Sequence, residues 1–375
     1  MRLKLCMTLI TSLFVCGPIA AQAVKPDAVD PGALNKECDA GQPNSCVKLG
    51  MLYRVGDGVA TDEKHAAELF SRACDAGYAP GCTALGLHYQ IGKKAARDEK
   101  RASELYSRAC DGGDPAGCSA LGFQYATGSG VSLDEKRAVE LFSRSCDAGD
   151  ARGCGGLALA YALGGGVQRD DERAAKLYQR ACELGSARSC YQLGGLYKYG
   201  RGVAQDDVSA VKLYQLACEA DYAGGCTSWG IMYEDGAGVA KDLKRAMELY
   251  QRACDAGDGG GCNRLGWNYA QGIGVPKDEE RATQYFQRSC DLDYGRGCVN
   301  LASSYMQGLG VAKDDSRAAE VFAHACEIND AAACYNLGSM YATGRGVQKN
   351  SARARELFKT ACDGGIVESC AAAKK

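Results

Sequence analysis

The stretch Ala253-Cys254-Asp255-Ala256-Gly257-Asp258-Gly259-Gly260-Gly261-Cys262 encloses a glycine-rich turn between two cysteines that are eight positions apart. The same bracket occurs ten times, and successive brackets begin 36 residues apart. A period this strict predicts a repeat array, in which each repeat packs on its neighbours and the number of repeats sets the size. A chain of 375 residues is therefore expected to form one solenoid rather than two or three globular domains.

Residues 223–258 show what one repeat contains, namely two amphipathic helices. In the first half, the spacing i, i+3, i+4, i+7 predicts a helix, here called helix A, with the packing face Cys226, Trp229, Gly230 and Tyr233. In the second half, the same kind of spacing predicts helix B, with the packing face Ala246, Leu249, Tyr250, Ala253 and Cys254. An Asp, or in the last repeat an Asn, is expected to cap each helix B: Asp62, Asp98, Asp134, Asp170, Asp206, Asp242, Asp278, Asp314 and Asn350.

The end of each helix B carries a second signal. Three residues past each helix B cysteine stands a residue type that tolerates the left-handed φ of a helix C-cap: Gly41, Gly77, Gly113, Gly149, Gly185, Asp221, Gly257, Asp293, Asn329 and Gly365. Small residues in helix A let neighbouring helices approach: Gly50, Gly86, Gly122, Ala158, Gly194, Gly230, Gly266, Ala302 and Gly338. These signals predict an all-α fold, an α/α solenoid with a right-handed superhelical twist. It has nine A/B hairpins from Pro43 onwards, a partial helix B around Leu34 to Ala40 and a terminal helix A stub at Val367 to Lys375.

Twenty of the 22 cysteines lie in the repeats, an even number that fits an oxidising compartment. Closing the short ring across the connector stabilises by about 2.5 kcal/mol, against about 3.6 kcal/mol for pairing within a hairpin, so energy alone does not choose the partners. Pairing within hairpins would leave Cys38 and Cys370 alone, whereas pairing across the connector leaves none. We therefore predict ten bridges: Cys38–Cys46, Cys74–Cys82, Cys110–Cys118, Cys146–Cys154, Cys182–Cys190, Cys218–Cys226, Cys254–Cys262, Cys290–Cys298, Cys326–Cys334 and Cys362–Cys370.

The amino terminus has the three parts of a secretory signal peptide. Basic residues precede an apolar run, and Ala21-Gln22-Ala23 follows it, so residues 1–23 are expected to be removed. Residues 24–33 then form a disordered linker, and residues 34–375 form the solenoid. Cys16 raises the alternative of a lipoprotein, but bulky Phe14 and Val15 stand where lipoprotein processing favours small residues.

The rest of the chain predicts neither a membrane span nor a nucleic-acid partner. No other stretch approaches the roughly 20 apolar residues that spanning requires. Without Arg2 and Lys4, the 44 basic residues fall to 42 against 46 acidic ones, a formal charge of −4. No basic residues are concentrated enough to indicate nucleic acid or an anionic membrane surface.

The pattern Cys-x-x-Leu-Gly-x-x-Tyr, a Gly-x-Gly-Val loop, and then Asp-x-x-x-Ala-x-x-Leu-Tyr-x-x-Ala-Cys resembles the Sel-like repeat, a relative of the tetratricopeptide repeat. The paired cysteines are similar to those of the Helicobacter-type cysteine-rich proteins. The resemblance covers residues 34–375 and departs from the pattern at Gly92-Lys93-Lys94-Ala95 and at Trp229. It implies a secreted or periplasmic scaffold that binds peptides or proteins, and also a penicillin-binding or weak β-lactamase activity as the alternative.

Motifs for catalysis are weak. Serine β-lactamases need Ser-x-x-Lys together with Ser-Asp-Asn and Lys-Thr-Gly, and only the first element is found, at Ser45 to Lys48 and at Ser209 to Lys212. The three histidines, His65, His88 and His324, lie in different repeats without metal-ligand spacing, and the cysteines never form Cys-x-x-Cys. We therefore expect no catalytic residue, no metal and no cofactor.

The remaining signal is a surface. Positions 2, 5, 9, 12 and 13 of each repeat form a second stripe on helix A whose residues differ between repeats, while the packing positions do not. By analogy with tetratricopeptide arrays, this stripe lines the concave surface and binds a peptide or protein. The alternative is that these are merely exposed variable positions and that Trp267 packs on a neighbouring helix. We expect a monomer whose binding surface comprises Tyr191, Lys198, Tyr199, Ile231, Glu234, Asp235, Asn263, Trp267, Gln271, Met306 and Gln307.

Overall fold

The computed structural model describes residues 30–92 and 97–373. The expected signal peptide, most of the expected linker, the atypical loop at 93–96 and the last two lysines lie outside the described residues. The described residues divide into two compact units, one that ends at Gly81 and one that begins at Cys82. None of the helices in the described ranges is long and apolar enough to cross a membrane.

The described residues form 20 α-helices and contain no strand, which confirms the predicted all-α solenoid of repeated hairpins. The helices are α1 Pro31–Asp39, α2 Pro43–Val55, α3 Glu63–Asp75, α4 Ala79–Ile91, α5 Glu99–Asp111, α6 Pro115–Thr127, α7 Glu135–Asp147, α8 Ala151–Leu163, α9 Asp171–Glu183, α10 Ala187–Tyr199, α11 Asp207–Glu219, α12 Ala223–Asp235, α13 Leu243–Asp255, α14 Gly259–Gln271, α15 Glu279–Asp291, α16 Gly295–Gln307, α17 Asp315–Glu327, α18 Ala331–Thr343, α19 Ser351–Asp363 and α20 Val367–Ala372. Even-numbered helices are A helices and odd-numbered ones are B helices.

The first unit contains α1, α2 and α3, packed around Leu34, Leu49 and Leu69. Helix α1 begins at Pro31, three residues before the expected start, because the Asp30 side chain accepts a hydrogen bond from the backbone N–H of Gly32 at 2.9 Å. A proline at the first helical position adds to this start, since its missing N–H has no partner there anyway. The predicted disordered linker is therefore helical in its last three residues.

In the second unit, each A helix from α6 to α18 packs on the B helix that follows it, and most of these A helices also contact the A helix of the next repeat. The glycine of helix A makes the first contact possible: a Cβ on Gly230 would lie 2.6 Å from a ring carbon of Tyr250, and one on Gly266 would lie 2.6 Å from the ring of Phe286. The aromatic ring of helix B thus fills the space that the glycine leaves. Trp229 is 6% exposed, so it fills the core in place of the usual leucine, as expected.

The predicted caps and left-handed residues of the B helices are confirmed. The side chain of every predicted Asp or Asn cap accepts a hydrogen bond from a backbone N–H in the first turn of its helix B. All ten residues predicted to be left-handed have positive φ, from 55° at Asp293 to 94° at Gly365. The three described non-glycine residues with positive φ, Asp221, Asp293 and Asn329, all occupy this position.

The predicted disulfide pairing across the connector is confirmed as well. Nine of the bridges have Cα–Cα distances between 4.4 and 4.8 Å, within the range that disulfides require. Cys74 and Cys82 each take part in a disulfide. Each measured bridge joins the end of a helix B to the start of the next helix A, so it fixes the junction between consecutive repeats.

Candidate functional site

The predicted surface contains one tryptophan, Trp267. It lies on α14, which begins after Asp258 because the Asp258 carboxylate accepts a hydrogen bond from the N–H of Gly261 at 3.0 Å. Gly266 packs against Phe286, and this contact fixes the rotation of α14 about its axis. Its neighbour Trp267 remains 45% exposed, so the indole is not absorbed into the packing between helices.

Two clefts meet at this indole. The first has a volume of about 320 Å³ and is bounded by α14, α15 and α16, with Trp267, Gln271 and Gln307 at its edge. Phe286 provides an apolar wall, and Thr283 adds a hydroxyl. This cleft therefore combines an exposed indole with three amide side chains, since Asn300 also lines it, a composition that suits the backbone and side chains of a bound peptide.

The second cleft, of about 300 Å³, is also lined by Trp267 and includes Ile231 and Asn263. The Asn300 amide donates a hydrogen bond to the Asn263 carbonyl oxygen at 2.8 Å, and Asn300 lines both clefts. Two guanidinium groups, those of Arg264 and Arg296, complete the lining. The structure therefore brings together five of the predicted residues: Ile231, Asn263, Trp267, Gln271 and Gln307.

The carboxylate of Glu234 already has partners within the protein. Its carboxylate accepts a hydrogen bond from the Tyr250 hydroxyl at 2.7 Å and lies 3.6 Å from a guanidinium nitrogen of Arg264. Burial, and then the hydrogen bond to Glu234, raise the pKa of Tyr250. The Glu234 side chain is only 14% exposed, so these contacts leave little of the carboxylate accessible to a ligand.

The other predicted residues lie outside the two clefts. Tyr191 is half-buried between the rings of Tyr214 and Tyr222, with centroid distances of 5.8 and 5.2 Å, and burial raises its pKa. Lys198 lies over the ring of Tyr199 at 5.7 Å, and Tyr199 is 69% exposed. Asp235 is exposed. Met306, the neighbour of Gln307, packs against the core formed by α15 to α19.

Sequence reasoning missed the cationic part of the site. Arg296 occupies position 2 of its repeat, on the predicted stripe, so it could have been found by the same rule. Arg264 and Asn300 occupy position 6, which the stripe does not include. They reach the cleft because the A helices of neighbouring repeats, α12, α14 and α16, contact each other.

Neither Ser-x-x-Lys motif forms a nucleophilic site. The Ser45 side chain is buried and its hydroxyl donates to the Glu37 carboxylate at 2.5 Å. The Ser209 hydroxyl donates to the helix-capping carboxylate of Asp206 at 2.5 Å. Both hydroxyls are thus held by carboxylates at helix ends, and neither motif supports the β-lactamase alternative.

The histidines have ordinary partners. His65 packs edge-on against Tyr53 with a centroid distance of 4.6 Å, and His88 against Tyr89 at 5.7 Å. His324 donates to Asp293 at 3.1 Å when protonated. Among the described residues, one group of possible metal ligands comes together, His324 with Cys290 and Cys298, but both sulfurs belong to a disulfide and supply no thiolate.

Nine consecutive segments of the chain match the Sel1 repeat: residues 43–78, 79–114, 115–150, 151–186, 187–222, 224–258, 260–294, 295–327 and 331–366. The chain belongs to the Sel1 repeat family. Each match coincides with one A/B hairpin, and the predicted Sel-like repeats are confirmed. A search among curated proteins finds no significant match.

Other Sel1 repeat structures resemble this one. The protective antigen c5321, present in uropathogenic Escherichia coli strains, is 27% identical, with a TM-score of 0.58, over 91% of this chain and 81% of that chain. A Sel1 repeat protein from Oxalobacter formigenes is 26% identical, with a TM-score of 0.56, over 82% of this chain and 89% of that chain. Cysteine rich protein B of Helicobacter pylori is 35% identical over 35% of this chain and 94% of that chain, with a TM-score of 0.30.

Proposed function

We propose that this Sel1 repeat protein is a scaffold that binds a peptide or protein segment on its A helices, with Trp267 as the main anchor. The observation that carries the proposal is the exposure of Trp267 between two clefts lined by amides. Binding energy in protein interfaces concentrates in a few aromatic and arginine side chains set in pockets. Trp267, Arg264 and Arg296 meet that description.

The geometry favours an extended ligand over a compact one. The two clefts share Trp267 and Asn300, so successive side chains of an extended segment can occupy them in turn. The amides of Gln271 and Gln307 can hydrogen-bond to the backbone of such a segment. Tyr199 and Lys198 on α10 are proposed to extend the surface towards the fifth repeat.

We further propose that the scaffold works outside the cytoplasm, in the periplasm or after secretion, once residues 1–23 have been removed, and that it is a monomer. The disulfides support an extracytoplasmic location, because thiols remain reduced in the cytosol of most organisms. No concentrated basic patch points to nucleic acid, so the proposed partners are proteins or peptides.

The test is to pan a displayed random-peptide library on the oxidised chain and to measure the selected peptides against variants. Trp267→Ala should weaken their binding at least about tenfold, since aromatic anchors in pockets dominate such interfaces. Leu216→Ala is the matched control, because Leu216 is 52% exposed but lies on a B helix, away from both clefts. Equal affinity for the wild type and for Trp267→Ala, with unchanged melting temperatures, would remove the proposal. Tyr199→Ala then reports whether the surface reaches α10.

A further inference from the structure

A second pair of clefts lies on the third to fifth repeats, away from Trp267. One cleft, of about 330 Å³, is formed mainly by α6, α7 and α8, and the other, of about 290 Å³, by α6, α8 and α10. Phe123 and Leu159 line both clefts and so form a shared wall. Leu163 lines the first of them and is 72% exposed.

Helix α8 has no side chain at two successive positions that line these clefts. Gly155 and Gly156 stand where α14 carries Asn263 and Arg264. A Cβ on Gly156 would lie 2.7 Å from the ring of Phe142, so that ring already fills the space nearest the backbone. Phe123 in turn packs edge-on against Phe142, with a centroid distance of 4.8 Å. The apolar wall is therefore held in place by the core.

The second of these clefts has cations at its rim. Arg152 and Arg188 both line it, each at position 2 of its repeat. The Arg152 guanidinium is 59% exposed and lies 3.6 Å from the Asp150 carboxylate, whereas Arg188 has no ion pair or hydrogen bond within the described residues. Tyr178 also lines this cleft, and burial raises the pKa of its phenol, which is neutral at pH 7. The rim thus has more positive than negative charge and one guanidinium without a partner.

We propose that this surface binds a partner segment in which large apolar side chains alternate with Asp or Glu. The proposal adds a second docking site to the scaffold proposed above and defines the chemistry of its ligand. Two adjacent clefts with a common wall fit two apolar side chains of one extended chain. The guanidinium groups of Arg152 and Arg188 fit the carboxylates between them, because an arginine fork pairs bidentately with a carboxylate.

The probe is a fluorescein-labelled decapeptide, Gly-Ser-Glu-Phe-Asp-Leu-Glu-Phe-Gly-Ser, titrated with the full oxidised chain and followed by fluorescence anisotropy. We expect saturable binding that weakens at least about tenfold in R152A/R188A, since two charge-assisted contacts are lost. The matched control is R355A/K359A, which removes two cations from the exposed surface of α19. L163S removes an exposed side chain of the apolar wall and should also weaken binding.

Several results would overturn the proposal: no saturable binding, an R152A/R188A affinity within twofold of the wild type, or equal binding of a peptide with Lys at the acidic positions. Complete displacement by decanoate at equal concentration would assign the clefts to a fatty carboxylate instead of a peptide. W267A separates this site from the first one, because it should leave decapeptide binding within twofold. Loss of binding in W267A but not in R152A/R188A would assign the decapeptide to the Trp267 clefts.

Discussion

At the scale of single residues, the helix B ring that packs under the small helix A residue, glycine or alanine, is Phe in some repeats and Tyr in others. Phenylalanine stands at 70, 142, 286, 322 and 358, and tyrosine at 106, 178, 214 and 250. Both types are buried, so the ring supplies the packing. Burial raises the pKa of each of these tyrosines, and that of Tyr106 and Tyr178 to about 12.

This shift predicts a loss of stability at alkaline pH. A tyrosine has a pKa of about 10 in the unfolded chain, so the folded state binds the phenolic proton more tightly. The resulting stabilisation is fully present below pH 10 and is lost as the pH rises from about 10 towards 12. The urea midpoint of the chain should therefore stay level between pH 7 and pH 9 and fall above pH 10.

Tyr178→Phe tests this cause, since the Tyr178 hydroxyl has no hydrogen bond within the described residues and Phe142 already fills the same position in the preceding repeat. The variant should have nearly the wild-type urea midpoint at pH 7 and a smaller fall between pH 10 and pH 11.5. An identical alkaline fall in both proteins would show that the Tyr178 phenol does not contribute. A loss at pH 7 would show that its hydroxyl has a structural role.

Local signals were predictable from the sequence, and contacts between repeats were not. Asp242 as a cap and Gly257 as a left-handed residue follow from neighbouring residues alone. Asn263 and Trp267 lie on the same predicted stripe, yet Asn263 is 7% exposed and Trp267 is 45% exposed. The difference arises because Asn300, from the next helix A, covers Asn263. The placement of the neighbouring hairpin decides which residues of the stripe remain exposed to solvent.

At the scale of elements, a hydrogen bond from an arginine joins the disulfide in holding the connector between repeats. An arginine near the end of helix B donates to the carbonyl oxygen of the cysteine 34 residues earlier, as in Arg144 to Cys110 at 2.7 Å and Arg252 to Cys218 at 2.8 Å. The same carbonyl oxygens also accept from the N–H of the left-handed residue, at 3.0 Å from Gly113 to Cys110, so the arginine adds a second donor from the next repeat. The period-based prediction did not include it, because the arginine and its acceptor lie in different repeats.

The left-handed residue of the connector can be tested on its own. A Cβ on Gly257 would meet no atom within 4 Å, so a substitution there acts through the backbone alone. Gly257→Ala should lower the free energy of unfolding by about 1 kcal/mol, because φ at this residue is 87° and L-residues disfavour that region. Gly257→Asn should cost less, since Asn tolerates the conformation and stands at the equivalent position 329. Chemical denaturation of both variants gives the comparison, and equal costs would contradict it.

At the scale of the whole chain, the repeat period was enough to predict the succession of hairpins, because each repeat contacts mainly its neighbours along the sequence. The period could not predict the clefts, which depend on how repeats differ. Gly155 and Gly156 line one cleft, and Trp267 and Arg296 line another. The clefts of this array therefore lie where a repeat departs from the consensus of the other repeats.

The same one-dimensional organisation predicts that removing a disulfide acts locally. C254A/C262A should destabilise its junction by about 2.5 kcal/mol, the cost of freeing a ring of this size in the unfolded chain. In hydrogen exchange, faster exchange should be concentrated in α13 and α14, which this bridge joins.

C362A/C370A is the matched variant at the end of the array, because its bridge joins α19 to the terminal stub α20. Fraying there frees only one neighbouring interface, so faster exchange should remain within these two helices. Peptide-resolved hydrogen exchange on the oxidised proteins distinguishes the two patterns. A uniform increase over residues 97–373 in both variants would mean that this part of the chain opens as one cooperative unit, and the nearest-neighbour description of its stability would then be wrong.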